Sequence, residues 1–174
     1  VADKFSTSEK KRFVAGSIGP GTKLASLGQS SFDELYSGYK LSAKGLIRGK
    51  VDMFFIETCQ DLLQIKAAVL AVKDTMQEMK VDLPIFVQVT LESTGLMLIG
   101  TNIESVCTTL APMGIAGLGV NCGTGPKDME KHIEYLSLNW PGYISMQANA
   151  GLPCVCDGKT VYDLNPNDFA ERIC

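Results

Sequence analysis

The strongest constraint on the fold is a regular alternation of short apolar runs with longer amphipathic segments. Five runs rich in apolar or β-branched residues predict strands at residues 13–18, 51–56, 84–90, 117–121 and 143–146. Most of them are separated by a segment of helical periodicity, so that strand and helix repeat every 30 residues or so, at about the length of a βαβ unit. Such units form right-handed crossovers between parallel strands. The pattern therefore predicts an α/β fold whose parallel sheet is buried on both faces.

The helical periodicity is clearest in residues 62–79. Apolar side chains recur there in steps of three and four: Leu62, Ile65, Val69, Val72, Met76 and Met79. This spacing places them on one stripe of an amphipathic helix. The opposite face is expected to point to water: Lys66, Lys73, Gln77 and Glu78. We interpret the stripe as core packing rather than as a methionine-lined cofactor surface. Weaker helical patterns cover residues 32–47, 103–110 and 127–138.

Composition and charge indicate a single globular domain over residues 1–174. The chain is 45% hydrophobic with a net charge of -3, and no linker, charge run or low-complexity tract divides it. The absence of a basic block argues against nucleic acid as a partner, and no apolar run is long enough to span a membrane. The sequence begins at Val1 without a signal-peptide core, so we expect a cytoplasmic protein whose sequence starts within a longer chain.

Cysteine use points to a reducing environment and to one thiol of interest. The six cysteines are scattered along the chain and are expected to be reduced, most of them as small buried apolar side chains: Cys59, Cys107, Cys122, Cys154, Cys156 and Cys174. Cys122 differs because it ends a predicted strand between Asn121 and Gly123. A thiolate there could be a nucleophile or a metal ligand.

The only histidine decides between these two roles for Cys122. His132 lies in a predicted helix, and we expect it on the solvent side of the stripe formed by Met129, Ile133 and Leu136. With no histidine to activate the thiol, metal ligation is the better hypothesis. A catalytic zinc needs about three protein ligands, and residues 154–156 offer two more sulfurs, although at a less common spacing.

Polar residues follow the other predicted strands as well. The carboxyl ends of parallel strands meet at one edge of a sheet, where α/β proteins place their active sites. Glu57 follows one apolar run and would either bind a cation, such as the ammonium group of an amino acid, or cap the next helix, as Asp61 could equally do. The glycine loop at residues 16–21 could cradle a phosphate, but it matches neither common phosphate-binding fingerprint.

Five segments together resemble a known family. They are RFVAGSIGP (12–20), FIETCQDLLQIKAA (55–68), GVNCGTGP (119–126), NAGLP (149–153) and DGKTVYD (157–163). In this order they resemble the homocysteine-binding, zinc-dependent S-methyltransferase domain of the cobalamin-dependent methionine synthase family. One departure is Gln147-Ala148, where the family has a proline before Asn-Ala-Gly.

The resemblance implies a partial (β/α)8 TIM barrel with about five parallel βα units, equivalent to the family's third to seventh strands. The first two strands and a later Gly-Gly-Cys-Cys-Gly segment, which supplies two zinc ligands in the family, are not in this sequence. Residue by residue, Cys122 matches the first zinc ligand and Glu57 the carboxylate that binds the substrate's amino group. Asn121 and Asn149 match asparagines that line the same substrate site.

The function implied by the resemblance is methyl transfer to homocysteine. Zinc would hold the homocysteine thiolate, which accepts a methyl group from methylcobalamin that is itself derived from 5-methyltetrahydrofolate. Cobalamin would be carried on another domain, so the partners would be the cobalamin- and folate-binding domains of a parent methyltransferase, and this fragment alone would be inactive. The alternatives are a betaine- or S-methylmethionine-dependent methyltransferase, a non-catalytic assembly module of the same fold, and a small phosphate-binding protein.

Overall fold

Five parallel strands form one sheet in chain order, β1-β2-β3-β4-β5. The computed structural model describes residues 1–162 and 164–173, so Asp163 of the DGKTVYD segment and Cys174 lie outside the described residues. The strands are β1 (Ala15–Ile18), β2 (Met53–Cys59), β3 (Ile85–Val89), β4 (Gly117–Asn121) and β5 (Tyr143–Gln147). All five predicted strands are thus confirmed, with small differences at their ends.

Helices alternate with these strands. They are α1 (Ala2–Phe5), α2 (Phe32–Arg48), α3 (Leu62–Met79), α4 (Ile103–Leu110), α5 (Pro126–Asn139) and α6 (Pro166–Ile173), with short 3-10 turns at Ala25–Leu27 and Ala111–Met113. The four predicted helices correspond to α2 to α5. Within residues 1–162 and 164–173, none of the helices has the length and apolarity needed to cross a membrane.

Helix α3 shows how the apolar stripe builds the core. Ile65, Val69 and Val72 are fully buried, and Lys66 and Lys73 on the opposite side are exposed, as predicted. Three alanines of α3 are completely buried as well: Ala67, Ala68 and Ala71. Small residues allow close approach to the sheet and to α2. The predicted core role of this helix is therefore confirmed.

The sequential strand order fixes the layers of the fold. Right-handed crossovers between neighbouring strands taken in chain order place all connecting helices on one face of the sheet. A row of stacked aromatic rings crosses the sheet, with centroids 5.0 Å apart for Phe55 and Phe86 and 6.1 Å apart for Phe86 and Tyr143. A single parallel sheet with helices on one side is the arrangement of a partial TIM barrel.

A second, two-stranded sheet follows β5 and was not predicted. The strands β6 (Pro153–Cys156) and β7 (Lys159–Tyr162) pair antiparallel. Asp157 and Gly158 form the two-residue turn between them, with φ angles of 52° and 72°. Asp-Gly with both residues left-handed is a preferred hairpin turn, so the turn chemistry explains this local structure.

Candidate functional site

The carboxyl ends of β2 and β4 are joined by a pair of hydrogen bonds. The backbone N–H of Thr58 donates to Oδ1 of Asn121 (3.1 Å), and Nδ2 of Asn121 donates to Oγ1 of Thr58 (2.8 Å). Strand β3 lies between β2 and β4, and the hydroxyl of Thr90 at its end donates to the backbone carbonyl of Asn121 (3.0 Å). The ends of three neighbouring strands are therefore fixed to one another, next to Glu57 and Cys122.

The backbone at Thr58 departs from a regular strand. Its φ angle is +60°, and the register with β3 shifts between Ile56 and Cys59. Strand β2 continues through this irregularity to Cys59, beyond its predicted end at Ile56. A β-branched residue at positive φ is strained by roughly 1–3 kcal/mol, a cost that structures retain mostly at functional sites.

Glu57 lies within this irregular segment and is half-buried. The hydroxyl of Ser17, at the end of β1, donates a hydrogen bond to its Oε1. The capping role is taken by Asp61, which is 0% exposed and accepts a hydrogen bond from the N–H of Leu63 (2.8 Å) at the start of α3. Of the two interpretations of Glu57, the helix cap is therefore wrong, and the cation-binding role stays open.

Cys122 occupies a tight turn directly after β4. Its φ is +55° and that of Gly123 is +69°, so two consecutive residues are left-handed. A Cβ atom on Gly123 would also lie 2.6 Å from the carbonyl oxygen of Leu91, so only glycine fits. The N–H of Cys122 donates to the carbonyl of Gln147 (3.1 Å), and its Sγ lies 3.9 Å from Oγ1 of Thr58. The left-handed φ and the close approach to Leu91 explain why a glycine follows the cysteine.

The two asparagines predicted to contact substrate are placed differently. Asn149 is half-buried, and its N–H donates to the carbonyl of Thr124 (3.1 Å), so its loop lies beside the loop of Cys122. Asn121 is only 2% exposed, and its side-chain amide is bound to Thr58. The structure thus brings Asn121 and Cys122 together near Glu57, with Asn149 in the adjoining loop.

The described residues do not form a complete zinc site. Within residues 1–162 and 164–173, no group of three or more His, Cys, Asp or Glu side chains is close enough to hold a metal ion. Cys154 and Cys156 are exposed on the β6–β7 hairpin, and Cys154 Sγ contacts the carbonyl of Val161 (3.7 Å). Among the described residues these two thiols therefore do not join Cys122, and their interpretation as its missing ligands is wrong.

The remaining thiols divide by burial. Cys59 and Cys107 are buried, as expected for small apolar side chains, whereas Cys154 and Cys156 are exposed, contrary to that expectation. Burial, together with the nearby charges of Glu57 and Asp61, raises the pKa of Cys59 to about 12. Burial also raises the pKa of Cys107. Both thiols are therefore protonated and unreactive at neutral pH.

His132 is buried, which corrects the sequence analysis. Its exposed fraction is 7%, and Met129 and Leu136 on the same side of α5 are buried with it. The loop at Gly95, which follows β3, covers the imidazole ring. Desolvation by this burial lowers the pKa of His132, and the positive charge of Lys131 lowers it further. The histidine is therefore neutral at pH 7 and packs in the core, and we assign it no role in the candidate site.

The glycine loop at residues 16–21 is used for packing. The carbonyl oxygen of Pro20 accepts hydrogen bonds from the hydroxyl of Tyr39 (3.3 Å) and from Nε2 of Gln64. Only a three-residue 3-10 turn, Ala25–Leu27, comes soon after the loop, and the next α-helix begins at Phe32. A phosphate cradle needs backbone N–H groups that point to a ligand near such a terminus. The geometry does not favour the phosphate-binding alternative.

Sequence reasoning did not single out Thr58, Thr90 and Ser17. All three are small hydroxyl residues at or just after the end of a strand, and their side chains fix Asn121 and Glu57. The signal was present in the sequence, since each stands in a polar cluster that closes an apolar run. Their partners could not be read from it, because Thr58 and Asn121 are 63 positions apart.

The fold and these residues define a partial TIM-barrel-like α/β protein whose polar residues gather at the carboxyl ends of the strands. Comparison with known proteins is specific: the family model for homocysteine S-methyltransferase matches residues 1–174. The chain is 42% identical to methionine synthase of Mycobacterium leprae and 40% identical to that of Mycobacterium tuberculosis, each over 173 residues. It therefore belongs to the homocysteine S-methyltransferase family, a family of methyltransferases. Each match covers 99% of this chain but 14% of the relative.

Proposed function

We propose that this chain is the homocysteine-binding part of a methionine synthase, in which the homocysteine sulfur accepts a methyl group. The observation that carries the proposal is the placement of Glu57 and Cys122 beside the hydrogen-bonded pair Thr58 and Asn121. A carboxylate at the end of β2 and a thiol just after β4 are complementary to a ligand with an ammonium group at one end and a sulfur at the other. Membership of the family supports the same substrate.

In this proposal Glu57 binds the ammonium group of homocysteine. It is half-buried, which strengthens an ion pair relative to open water, and Ser17 orients one of its oxygens. Asp61 already caps α3, so the charge of Glu57 is not needed for folding that helix. Asn149 would line the same site from the loop after β5. Asn121 would be close to the ligand while its own amide holds Thr58.

Cys122 would contribute one thiolate to a zinc site. The residue is half-buried in a left-handed turn at the same edge of the sheet, an arrangement suited to a metal ligand. Since the described residues supply a single sulfur, the other ligands would have to come from outside them. No zinc-dependent step can be derived from these residues alone.

The methyl donor would be methylcobalamin, regenerated with 5-methyltetrahydrofolate, and both would be bound by other domains of a longer cytoplasmic protein. The names of the relatives support methionine as the product, and their length, of which this chain covers 14%, supports further domains. The identity of the methyl donor rests on the resemblance of the sequence segments to the cobalamin-dependent family. A reducing compartment is consistent with the cysteines that are free in the described part of the chain: Cys59, Cys107, Cys122, Cys154 and Cys156.

Calorimetric titration of homocysteine into the proposed full-length protein tests the function. We expect Glu57→Gln to weaken binding by about tenfold or more, because a charge-assisted contact to the ammonium group is lost. Glu130→Gln, an exposed substitution on α5, is the matched control and should leave the affinity unchanged. Equal affinities for the wild-type protein and Glu57→Gln would contradict the role of Glu57.

A further inference from the structure

We infer that Thr58 and Asn121 are positioning residues that set the spacing between Glu57 and Cys122. The inference rests on the proposed function, because it assigns a purpose to that spacing in binding homocysteine. Thr58 follows Glu57 directly in the chain, and Asn121 directly precedes Cys122. The two residues act through their neighbours and need not touch the ligand.

The pair is connected at two points. The N–H and the hydroxyl oxygen of Thr58 both bind the same side-chain amide, at 3.1 and 2.8 Å. Two bonds to one planar group restrict rotation as well as distance. Since β3 separates β2 from β4, these bonds connect strand ends that have no direct backbone pairing. They therefore add a constraint that the sheet itself does not supply.

Burial makes this connection rigid. Asn121 is 2% exposed, so water cannot replace the bonds to Thr58 without opening the structure. Thr90, which is 4% exposed, holds the backbone of Asn121 from the strand between them. A buried amide is costly unless its groups are paired, and here both its oxygen and its nitrogen have partners.

Backbone strain on both sides indicates a functional purpose. Thr58 and Cys122 have φ angles of 60° and 55°, which non-glycine residues rarely adopt. Glycine at either position would remove the strain but would also remove the hydroxyl or the thiol. The hydroxyl of Thr58 lies 3.9 Å from the sulfur of Cys122, so this strained conformation brings the two side chains into contact. Strain retained in this way is a feature of ligand sites.

The consequence concerns ligands that reach both ends of the site. When two contacts are already aligned, a molecule that makes both gains from the second contact without a further entropic cost. Loss of the alignment weakens the binding of a two-ended ligand and leaves the binding of one-ended ligands almost unchanged. Homocysteine is two-ended, 2-aminobutyrate lacks the thiol, and 2-mercaptoethanol lacks the amino-acid group.

The test is to titrate these three compounds into the proposed full-length protein and its variants, by calorimetry for homocysteine and by NMR for the weaker ligands. Thr58→Val removes the hydroxyl and keeps the branched shape, whereas Thr58→Ser keeps the hydroxyl. Thr75→Val is the matched control, because it makes the same change at a buried threonine of α3 whose hydroxyl donates to the carbonyl of Ala71 in the same helix. We expect Thr58→Val to lower the affinity for homocysteine by about 10- to 100-fold, the range for a small misplacement of a bound group. The homocysteine affinities of Thr58→Ser and Thr75→Val should stay close to that of the wild-type protein. Each of the two one-ended compounds should bind all four proteins with the same affinity.

Two results would overturn the inference, and they are distinct from failure of the proposed function. Unchanged homocysteine affinity in Thr58→Val would show that the pair does not position the site. Equal weakening of all three compounds would show a general loss of structure. If Thr58→Val does not fold, Asn121→Leu, which is similar in size and loses both the Oδ1 acceptor and the Nδ2 donor, should give the same selective loss. A wild-type protein that binds no homocysteine would instead contradict the proposed function, and the inference with it.

Discussion

The carboxylate of Asp61 accepts hydrogen bonds from both the backbone N–H (2.8 Å) and the hydroxyl (2.7 Å) of Ser26. The same carboxylate caps α3 through the N–H of Leu63. One buried side chain thus joins the start of α3 to the loop that follows β1. Because Asp61 performs this structural task, Glu57 at the end of the neighbouring strand is available for a ligand.

We expect Asp61→Ala to lower the free energy of unfolding by about 2–4 kcal/mol, since it removes a helix cap and leaves buried donors unpaired. Urea unfolding followed by circular dichroism measures the change. Ser26→Ala removes one of the bonds and should cost only about 1 kcal/mol. A loss below that of Ser26→Ala would contradict the assigned role.

The thiols should differ in their rates of alkylation. The exposed Cys154 and Cys156 should react readily with iodoacetamide at pH 8, whereas Cys59, whose pKa is raised to about 12 by burial, should react only after unfolding. Cys107 should behave like Cys59. Mass spectrometry of tryptic peptides after timed quenching reports each site. Rapid labelling of Cys59 in the folded protein would contradict its placement in the core.

His132 should titrate below its ordinary pKa of 6.5, because burial and Lys131 disfavour the charged imidazole. It is the only histidine, so the ring proton resonance in NMR follows it without ambiguity. Since the folded state binds this proton less readily than the unfolded state, His132 lowers stability as the pH falls below about 6.5. The variant His132→Gln should show a shallower loss of stability between pH 7 and pH 5. A ring midpoint at or above 6.5 would contradict the burial.

The turn after β4 should depend on glycine at position 123. Gly123→Ala meets both a positive φ and the carbonyl of Leu91, so we expect a loss of roughly 3 kcal/mol or more. Gly28→Ala is the control, because Gly28 has a similar φ of +70° but open space around its α-carbon. That variant should lose only about 1–2 kcal/mol. Equal losses in urea unfolding would show that the close approach to Leu91 has no energetic effect.

Most of the sheet and its helices could be predicted because their signals are local. The stripe of α3 and the apolar runs of the strands are properties of a few consecutive residues, and they specify which side is buried. The β6–β7 hairpin also had a local signal in Asp157-Gly158, which the sequence analysis interpreted only as part of a family segment.

The predictions that were wrong and the features that were not predicted depend on residues far apart in the sequence. The burial of His132 is caused by the loop at Gly95, which belongs to the preceding unit of the fold. The irregular end of β2 depends on Asn121, which is far along the chain. Glu57 and Cys122 were identified as candidates from their positions after strands, but the pair that connects them is visible only in three dimensions.

The most direct test of the account is the zinc content of the proposed full-length protein, measured by metal analysis after dialysis. We expect about one zinc per chain in the wild-type protein and in the control Cys154→Ser, because Cys154 lies on the exposed hairpin. Cys122→Ser should lose the metal while keeping its circular dichroism spectrum. Full zinc content in Cys122→Ser would contradict the assignment of Cys122 as a ligand, and with it the site proposed at the ends of these strands.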